Sequence, residues 1–406
     1  MTADEKIEQL REELKLESFF DYQLEFFRGW LNRAPGERYT ACLYHRTGAG
    51  KTVSAMTAMK LAGVEKVLVI APPVTHVQWK AVGDKLGLAI RCTSHAAYRQ
   101  KGFRMSRNDA VIVDEFHLFG GNTAKGWKIF EQRTRASEAP LIICSATPNY
   151  NDAERVYCIK RILHPNKTHD GYVGFLYADC ELQQNYFSTV PDVVGFKEFD
   201  TAEDYLKAMP DVYYVPDIHK ATLVDIELDL DKFVPDELAT YGLNDRRERV
   251  EASIIGKTWA ELFYKTLDDD GFIRTQIIDE LINATMDQPE NSKLMLYADS
   301  KVIAEALQTY FEEAEVNSVL VTGDLTLKEK TARLDSFRST AEGSPDVLVG
   351  TGTLGTGTDG LDQVCDWLII VHDTNDDAKR RQIMGRILPR GAMADVSKKV
   401  LYRFCY

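Results

Sequence analysis

Apolar residues alternate along the chain between clusters at helical spacing and short continuous runs. Over residues 7–14 they recur at helical spacing behind a Thr2–Glu5 capping-box pattern, which predicts an N-terminal helix. A second helix is predicted over about Tyr22–Leu31, and the Ala34–Gly36 turn, which contains a proline, would end it.

From Tyr39 onwards the pattern changes to short runs that are apolar on both faces and are followed by loop or helix signals. Such runs are typical of parallel strands covered on both sides, and their alternation with helices predicts a doubly wound α/β domain. The predicted strands are Thr40–Tyr44, Lys66–Ala71, Leu88–Thr93, Ala110–Asp114 and Leu141–Ser145.

The middle of the chain, about His164–Asn291, lacks this clean alternation and is richer in Asp, Tyr and Pro. We expect a linker there around Pro210–Pro216, because prolines disrupt regular elements. A strand over Ala221–Leu230 and a helix over Ile254–Leu267 are also predicted.

The βα rhythm returns from Ser292 to the end of the chain. The predicted elements are strands Lys293–Tyr297, Ser318–Thr322, Asp346–Gly350, Trp367–His372 and Lys399–Phe404, with helices Lys301–Glu312 and Leu327–Arg338. The sequence therefore predicts two α/β domains in tandem, over residues 1–215 and 216–406.

Composition narrows the class of protein. The 406 residues are 44% hydrophobic and 27% charged, which are globular values that exclude a disordered or fibrous chain. No apolar run approaches the roughly 20 residues that span a bilayer, and no secretory signal is apparent, so we expect no membrane partner. The seven cysteines are scattered and form no C-x-x-C pair, which favours a reducing, cytoplasmic location over a disulfide scaffold or zinc ribbon.

The charge balance of 49 basic and 62 acidic residues gives a net charge of −13. Taken alone, this acidic balance argues against a nucleic-acid partner, because nucleic-acid-binding domains usually carry a basic surface. The motifs indicate the opposite.

The first of these motifs is a glycine-rich loop between the first predicted strand and the next helix. Its residues are His45, Arg46, Thr47, Gly48, Ala49, Gly50, Lys51 and Thr52. It matches the G-x-x-x-x-G-K-[ST] phosphate loop except that His45 replaces the first glycine. Gly48 and Gly50 let backbone N–H groups close around phosphate oxygens at a helix N-terminus. Lys51 would reach the β- and γ-phosphates, and Thr52 would ligate Mg²⁺.

The second motif is an acidic pair, Asp114 and Glu115, that ends the apolar run at residues 111–113. Ligands of parallel α/β sheets bind at the carboxyl ends of the strands. Asp114 could hold Mg²⁺, and Glu115 could polarise an attacking water. Alone, the pair could equally be two solvated acids, but the upstream phosphate loop favours a magnesium–nucleotide site.

Further segments occur in a fixed order around these two motifs. They are Asp21-Tyr22-Gln23, Ala71-Pro72-Pro73 with Gln78 and Trp79, Ser145-Ala146-Thr147-Pro148, Thr351–Leu361, and Gln382-Ile383-Met384-Gly385-Arg386. Together the motifs resemble those of superfamily 2 helicases. The runs P-P-V-T-H-V-Q-W-K, S-A-T-P-N-Y-N and D-G-L-D-Q-V-C are most similar to compact Snf-type DNA translocases of phages and bacteria. The resemblance covers about Phe19–Tyr406 and implies two tandem RecA-like P-loop domains, with parallel sheets covered by helices and an ATP cleft between the domains.

The resemblance also implies roles for individual residues. Adenine and the nucleotide phosphates would be bound by Tyr22, Gln23, Thr47, Gly48, Ala49, Gly50, Lys51, Thr52, Gly357 and Asp359. The catalytic set would be Lys51, Glu115, Gln382, Arg386 and Arg390, with Mg²⁺ held by Thr52 and Asp114. Nucleic acid would be contacted by Pro72, Gln78, Ser94 and Thr351. Ser145 and Thr147 would couple hydrolysis to nucleic-acid binding.

The last motif departs from the family pattern Q-x-x-G-R-x-x-R, whose final arginine is the arginine finger. Pro389 occupies that final position here, and Arg390 follows one residue later. Either Pro389 re-aims Arg390, or Arg386 serves alone, or hydrolysis is weak; we favour the first.

These features predict a motor that uses ATP and Mg²⁺ to translocate on or remodel DNA, with duplex favoured over single-stranded or forked DNA. The alternatives are an ATP-gated nucleic-acid clamp with weak hydrolysis and an RNA helicase of the same superfamily. We expect a monomer that acts in the cytoplasm, or a phage protein that acts in a host cell. A neutral or basic track is expected near Lys80, Arg99, Lys101 and Lys379.

Two smaller interpretations concern polar residues beside the motifs. His117 is expected to make a polar contact between motifs, as in D-E-x-H enzymes. The basic run Lys379-Arg380-Arg381 is either a solvated helix face or a nucleic-acid contact.

Overall fold

The computed structural model of the chain divides into two compact units, Met1–Asp217 and Ile218–Tyr406. The residues that it describes are 2–33, 37–46, 48–106, 109–135, 137–146, 153–165, 171–184, 191–216, 223–227, 293–355, 360–374, 377–389 and 399–405. The predicted turn at residues 34–36 and the predicted helix Ile254–Leu267 lie outside them.

The first unit is built on a parallel sheet of six strands in the order β3-β2-β4-β5-β1-β8. The strands are β1 Thr40–His45, β2 Lys66–Ile70, β3 Ala89–Thr93, β4 Ala110–Val113, β5 Leu141–Ser145 and β8 Val212–Val215. Strands β1, β4 and β5 are buried throughout, because helices cover both faces of the sheet.

The helices of the first unit are α1 Ala3–Leu14, α2 Asp21–Leu31, α3 Lys51–Leu61, α4 His76–Lys85, α5 His95–Tyr98, α6 Lys125–Thr134, α7 Ala153–Leu163, α8 Gly171–Asp179 and α9 Ala202–Ala208. Alternate residues of β1 face opposite cores: Ala41 and Leu43 pack with α1 to α4, while Cys42 and Tyr44 pack with α6 to α8. The capping box predicted for the first helix is present, since Thr2 and Glu5 each bond the backbone N–H of the other.

The structure corrects the sequence analysis in one stretch. The predicted linker around Pro210–Pro216 contains β8, which pairs with β1 and adds a sixth strand to the sheet. An antiparallel ribbon of β6 Cys180–Gln183 and β7 Asp192–Phe196 was not anticipated at all. β8 lies between two prolines, and β6 and β7 form an antiparallel ribbon outside the alternation of strands and helices, so neither feature fits the pattern that predicted the other strands.

The second unit repeats the plan with a parallel sheet in the order β11-β12-β10-β13-β14-β9. Its elements are β9 Leu223–Glu227, β10 Lys293–Ala298, α10 Lys301–Glu313, β11 Ser318–Val321, α11 Leu327–Arg338, β12 Val347–Gly350, β13 Cys365–His372, α12 Asp377–Met384 and β14 Val400–Cys405. Every strand predicted from Ser292 onwards is present to within two residues, and β9 lies inside the predicted strand Ala221–Leu230.

The fold class predicted from the sequence is therefore confirmed: each unit has a six-stranded parallel sheet, the arrangement of tandem RecA-like domains. Within the described ranges, no helix combines the length and the apolar composition that crossing a membrane requires.

Candidate nucleotide site and motif geometry

The glycine-rich loop of the first unit connects the carboxyl end of β1 to the start of α3. Gly48 and Gly50 have φ angles of +78° and +71°, in the left-handed region that favours glycine. A Cβ on Gly50 would also lie 3.0 Å from Nε2 of Gln23, so a larger residue would crowd the loop. Lys51 donates hydrogen bonds to the carbonyl oxygens of His45 (3.0 Å) and Arg46 (3.1 Å). Both glycines thus use the conformational freedom that the phosphate-loop pattern predicts, and carbonyl groups at the start of the loop hold the lysine.

Two side chains of helix α2 form hydrogen bonds with this loop and with the helix that follows it. The hydroxyl of Tyr22 donates to the carbonyl of Ala49 at 3.1 Å, and Nε2 of Gln23 donates to the hydroxyl of Ser54 at 2.9 Å. The Gln23 Oε1 accepts from the backbone N–H of Phe20, so both ends of this buried amide are engaged. The Tyr22 ring stacks on the exposed Phe20 ring at 5.3 Å between centroids. Tyr22 and Gln23 therefore lie against the loop, and adenine recognition by them stays a prediction.

The acidic pair follows β4, which lies two strands from β1 in the sheet. Asp114 is buried, and its carboxylate accepts from Nε1 of Trp79 (3.3 Å) and from the backbone N–H of Glu115 (3.1 Å). Burial and the neighbouring Glu115 raise the pKa of Asp114 to about 6, and the positive charge of Lys51 opposes this rise. The phosphate-loop lysine and the first acid of the pair are thus close enough to interact electrostatically.

Glu115 adopts a φ of +50° and a ψ of +54°, a left-handed conformation that is uncommon for a residue with a side chain. Such backbone conformations persist where the surrounding structure imposes them, and they are common at functional sites. The Glu115 carboxylate lies 3.5 Å from Nδ1 of His117, and the same nitrogen lies 3.0 Å from the hydroxyl of Ser145 at the end of β5. The polar contact expected of His117 is confirmed, and it connects the acidic pair to the start of the S-A-T-P motif.

The burial of His95 adds a further polar group to this edge. Burial lowers the pKa of His95 to about 4. A hydrogen bond with the backbone of Asp114 favours the charged form and opposes this shift, but it is the smaller of the two effects. His95 was not singled out by sequence reasoning, and neither were Trp79 as a partner of Asp114 or Ser54 as a partner of Gln23. The only signal for Ser54 was its position three residues after Lys51, on the turn of α3 that faces α2.

The residues predicted to contact nucleic acid from the first unit differ in accessibility. Gln78 is exposed on α4, whereas Pro72 is buried and its carbonyl accepts from the Thr75 hydroxyl at 2.9 Å. The Ser94 hydroxyl accepts from the backbone N–H of Ala97 and caps α5. Ser94 and Pro72 thus shape the backbone, and Gln78 presents a side chain to solvent.

In the second unit, three predicted site residues gather around the turn that follows β12. Thr351 is buried, and its carbonyl accepts from the backbone N–H of Leu354 at 2.8 Å. The buried guanidinium of Arg386 donates to the carbonyl of Gly355. The side chain of Gln382 lies beside the same glycine. The last motif therefore holds the T-G-T-L-G turn in place within the second unit.

The basic run at the start of the last motif is engaged in ion pairs. Lys379 bonds the carboxylate of Asp299, and Arg380 bonds that of Asp373 at 2.8 Å. These two side chains are paired with acids and so do not form a freely solvated face, whereas a nucleic-acid contact of the run stays a prediction. Arg381 is exposed.

Five further site predictions lie outside the described residues. They are Thr47, Thr147, Gly357, Asp359 and Arg390. The roles given to all site residues, including the choice of arginine finger, stay predictions.

Comparison with known proteins supports a helicase. Residues 274–390 match the sequence model of the helicase conserved C-terminal domain. No curated protein matches the chain in sequence. Solved structures nevertheless match almost the whole chain, as expected when a fold is shared at low sequence identity.

Two of these structures are of the protein Dbp5 from S. cerevisiae, bound to RNA and ADP BeF3. The L327V variant covers 99% of this chain and 87% of its own at 12% identity, with a TM-score of 0.53. The other Dbp5 structure has the same coverage at 13% identity, with a TM-score of 0.51. At these identities the similarity shows a shared fold.

A third match is the SWI2/SNF2 ATPase core domain of Sulfolobus solfataricus. It covers 95% of this chain and 85% of its own at 16% identity, and its TM-score of 0.39 is too low to argue from. The helicase C-terminal domain and the tandem RecA-like fold together support a superfamily 2 helicase core. The Snf-type subfamily rests on the sequence motifs alone.

Proposed function

We propose that this chain is an ATP-dependent nucleic-acid motor that hydrolyses ATP with Mg²⁺ to translocate on or remodel DNA, with duplex DNA as the favoured track. Residues 1–215 would form the ATP-binding domain and residues 216–406 the helicase C-terminal domain. The proposal rests on the motif order, on the helicase C-terminal match and on the geometry of the first unit.

The observation that carries the proposal is the meeting of two motifs at one edge of the first sheet. The phosphate loop after β1 and the acidic pair after β4 both lie at carboxyl ends of parallel strands, where ligands of such sheets bind. Lys51 influences the pKa of Asp114, so the two motifs share one electrostatic environment. We would not expect a glycine-rich turn without a ligand-binding role to lie close to a buried acidic pair.

The donor set at this edge fits Mg²⁺ and a nucleotide. Burial makes the Asp114 carboxylate costly to ionise, and a nearby cation would offset that cost. Asp114 and Thr52 would hold the metal, which when bound neutralises phosphate charge. The loop N–H groups and Lys51 would bind the phosphates, and Glu115, whose carboxylate lies 3.5 Å from Nδ1 of His117, would orient water and accept its proton.

Coupling to nucleic acid would pass through His117 and Ser145. Their 3.0 Å contact connects the Glu115 segment to the motif that ends β5, so a shift of that motif could reposition the proposed base. In the second unit, Arg386 fixes the turn that follows Thr351, the residue proposed to touch nucleic acid.

The experiment measures ATP hydrolysis by the full chain with single-stranded, duplex and forked DNA and with the corresponding RNAs. Salt is held fixed because phosphate contacts make affinity strongly salt-dependent. We expect duplex DNA to stimulate turnover most, and Lys51→Ala to abolish the stimulated rate. Lys60→Ala, at the far end of the same helix, is the matched control and should leave the rate unchanged. If no nucleic acid raises turnover and Lys51→Ala has no effect, the motor proposal is wrong.

An RNA helicase is the second candidate, favoured by the fold similarity to RNA-bound Dbp5. It predicts stimulation and unwinding with RNA and none with DNA in the same assay. The clamp alternative predicts ATP-dependent nucleic-acid binding with negligible phosphate release, and no further loss in Arg390→Ala.

A further inference from the structure

The first unit contains a cavity of about 300 Å³ at the edge of its sheet opposite the phosphate loop. Its walls come from the segment before β1, the start of β5, and the C-terminal ends of α6 and α7. Since β5 is five residues long and a strand rises about 3.3 Å per residue, the sheet itself separates the cavity from the acidic pair. The cavity is therefore distinct from the proposed nucleotide site.

Three arginines and one glutamate line this cavity: Arg38, Arg135, Arg161 and Glu131. Arg161 pairs with Glu131, its Nε lying 3.0 Å from the carboxylate. That pairing leaves two guanidinium groups, those of Arg38 and Arg135, uncompensated by the acid of the lining. A local charge of +2, from three arginines less one glutamate, is unusual in a chain whose net charge is −13.

Arg38 is held in place by backbone carbonyls and not by an acid. Its Nε donates to the carbonyl of Ala139 at 2.9 Å, and Nη1 donates to that of Thr134 at 3.3 Å. A guanidinium has five N–H donors, so this arrangement orients the group and leaves donors for another acceptor. Burial lowers the pKa of Arg38 to about 10, because removal from water disfavours the charged form.

Arg135 follows the last turn of α6 and is exposed at the mouth of the cavity. Within the described part of the chain, its side chain has no hydrogen-bonding or ion-pair partner. The rest of the lining includes the apolar side chains of Trp127 and Ile162, which are almost fully buried. The cavity thus combines one oriented guanidinium group, that of Arg38, and one exposed guanidinium group, that of Arg135, with a non-polar wall.

We propose that this cavity is a second ligand site, which binds a small organic molecule through one oxyanion group, a phosphate monoester or a carboxylate. Arg38 and Arg135 would bind the oxyanion, because planar guanidinium groups match the geometry of such oxygens. The organic body would lie towards Trp127 and Ile162. A volume of about 300 Å³ is at the small end of ligand pockets, which suits a molecule the size of a sugar phosphate.

The test is calorimetric titration of the full chain with three probes: inorganic phosphate, ribose 5-phosphate and benzoate. The protein carries Lys51→Ala, so that phosphate binding at the loop does not contribute. We expect one saturable site with a dissociation constant of about 1 mM or tighter for at least one organic probe, and weaker binding of inorganic phosphate, which lacks a body. Because binding is read without ATP or nucleic acid, the result is independent of the motor proposal.

Arg135→Gln is the deciding variant, since an exposed side chain can be replaced without disturbing the core. It should weaken the bound probe about ten-fold, as expected for losing a charge-assisted hydrogen bond. Lys85→Gln, which removes an exposed positive charge at the end of α4, is the matched control and should leave binding unchanged. Preference for ribose 5-phosphate or for benzoate identifies the anion. Failure of all three probes to bind, or equal affinities in the two variants, would overturn the proposal.

Discussion

Each of the two units has a six-stranded parallel sheet, but the residues at the carboxyl ends of the strands differ between them. In the first unit, the edge holds the buried Asp114–Glu115 pair, whose first member has a raised pKa, and Glu115 has a strained backbone. In the second unit, the corresponding edge carries acids and bases that neutralise one another. Asp373 accepts from both Arg380 and Arg403, and Arg403 also bonds Asp225.

In the proposed motor, charged groups therefore serve different purposes at the two edges: ligand binding in the first unit and the positioning of helices and strands in the second. An uncompensated buried carboxylate costs free energy in the absence of a ligand, and that cost becomes binding free energy when a cation arrives. A closed ion-pair network has little to gain from a ligand, but it fixes the positions of the elements it connects. The network connects α12 to β13, β14 and β9, and so it positions the helix that carries Gln382 and that ends two residues before Arg386.

The largest expected effect tests the first edge. Glu115→Gln should lower nucleic-acid-stimulated ATP hydrolysis by about 10²–10⁴-fold, because the amide cannot accept a proton. Nucleotide binding should persist, since Lys51 and the loop are unchanged. Both are measured on the full chain, by phosphate release and by titration with a non-hydrolysable analogue.

Glu138→Gln, an exposed glutamate of the same unit, controls for the loss of one negative charge and should retain full activity. If Glu115→Gln hydrolyses ATP as fast as this control, the proposed base is wrong and the strain at Glu115 has another cause.

The second edge should respond in stability. Asp373→Ala removes the acceptor that the guanidinium groups of Arg380 and Arg403 share. This change should lower the free energy of unfolding of the second unit by roughly 2–3 kcal/mol. Hydrogen–deuterium exchange of β13 and β14 measures this loss locally. Asp335→Ala breaks an exposed pair with Arg338 and should cost less than about 0.5 kcal/mol. Equal protection in the two variants would contradict the idea of a positioning network.

The contrast between the edges also explains what the sequence could predict. Local signals located the phosphate loop and the acidic pair, because chemistry and spacing lie within a few consecutive residues. All strands of the two sheets except β8 followed from their apolar runs. The strand β8 was missed because it lies between Pro210 and Pro216 and gains its stability from pairing with β1, about 170 residues earlier in the chain.

The ion-pair network could not be predicted from the sequence either, because it also joins segments that are far apart in the chain. Arg380 follows Asp373 by seven residues, but Arg403 and Asp225 are 178 residues apart. The sequence therefore could not show that the fold supplies acid partners for Lys379 and Arg380 of the basic run. His95 and Trp79 were likewise invisible as partners of the acidic pair, since only the sheet order brings their segments together.

A smaller effect, of opposite sign, is expected at Asp114. Asp114→Asn removes a buried negative charge next to Glu115 and keeps an oxygen that accepts from the Trp79 N–H. We therefore expect the free energy of unfolding of the ligand-free first unit to rise by about 1 kcal/mol. Because the pKa of Asp114 is raised from 3.8 to about 6, the folded state loses stability as the pH rises through this range, and the advantage of Asn should grow over the same range. Thermal unfolding at pH 4 and pH 7 measures it.

The gain should be accompanied by weaker binding of nucleotide in the presence of Mg²⁺. Asp84→Asn, on the exposed face of α4, removes the same charge without changing either quantity. Destabilisation by Asp114→Asn at pH 7 would show that the hydrogen bonds of the carboxylate outweigh its burial, and the two edges would then be alike.

The smallest effect concerns one hydrogen bond between α2 and the phosphate loop at the first edge. Tyr22→Phe removes the hydroxyl that donates to the Ala49 carbonyl, a single neutral hydrogen bond of about 0.5–1.5 kcal/mol. The loop should become less ordered, which should raise the KM for ATP about two- to five-fold and leave kcat within a factor of two. Tyr177→Phe, an exposed tyrosine of α8, is the matched control. An unchanged KM in Tyr22→Phe would mean that the glycine conformations and Gln23 suffice to order the loop, whereas a fall in kcat alone would place Tyr22 in the hydrolysis step and not in the ordering of the loop.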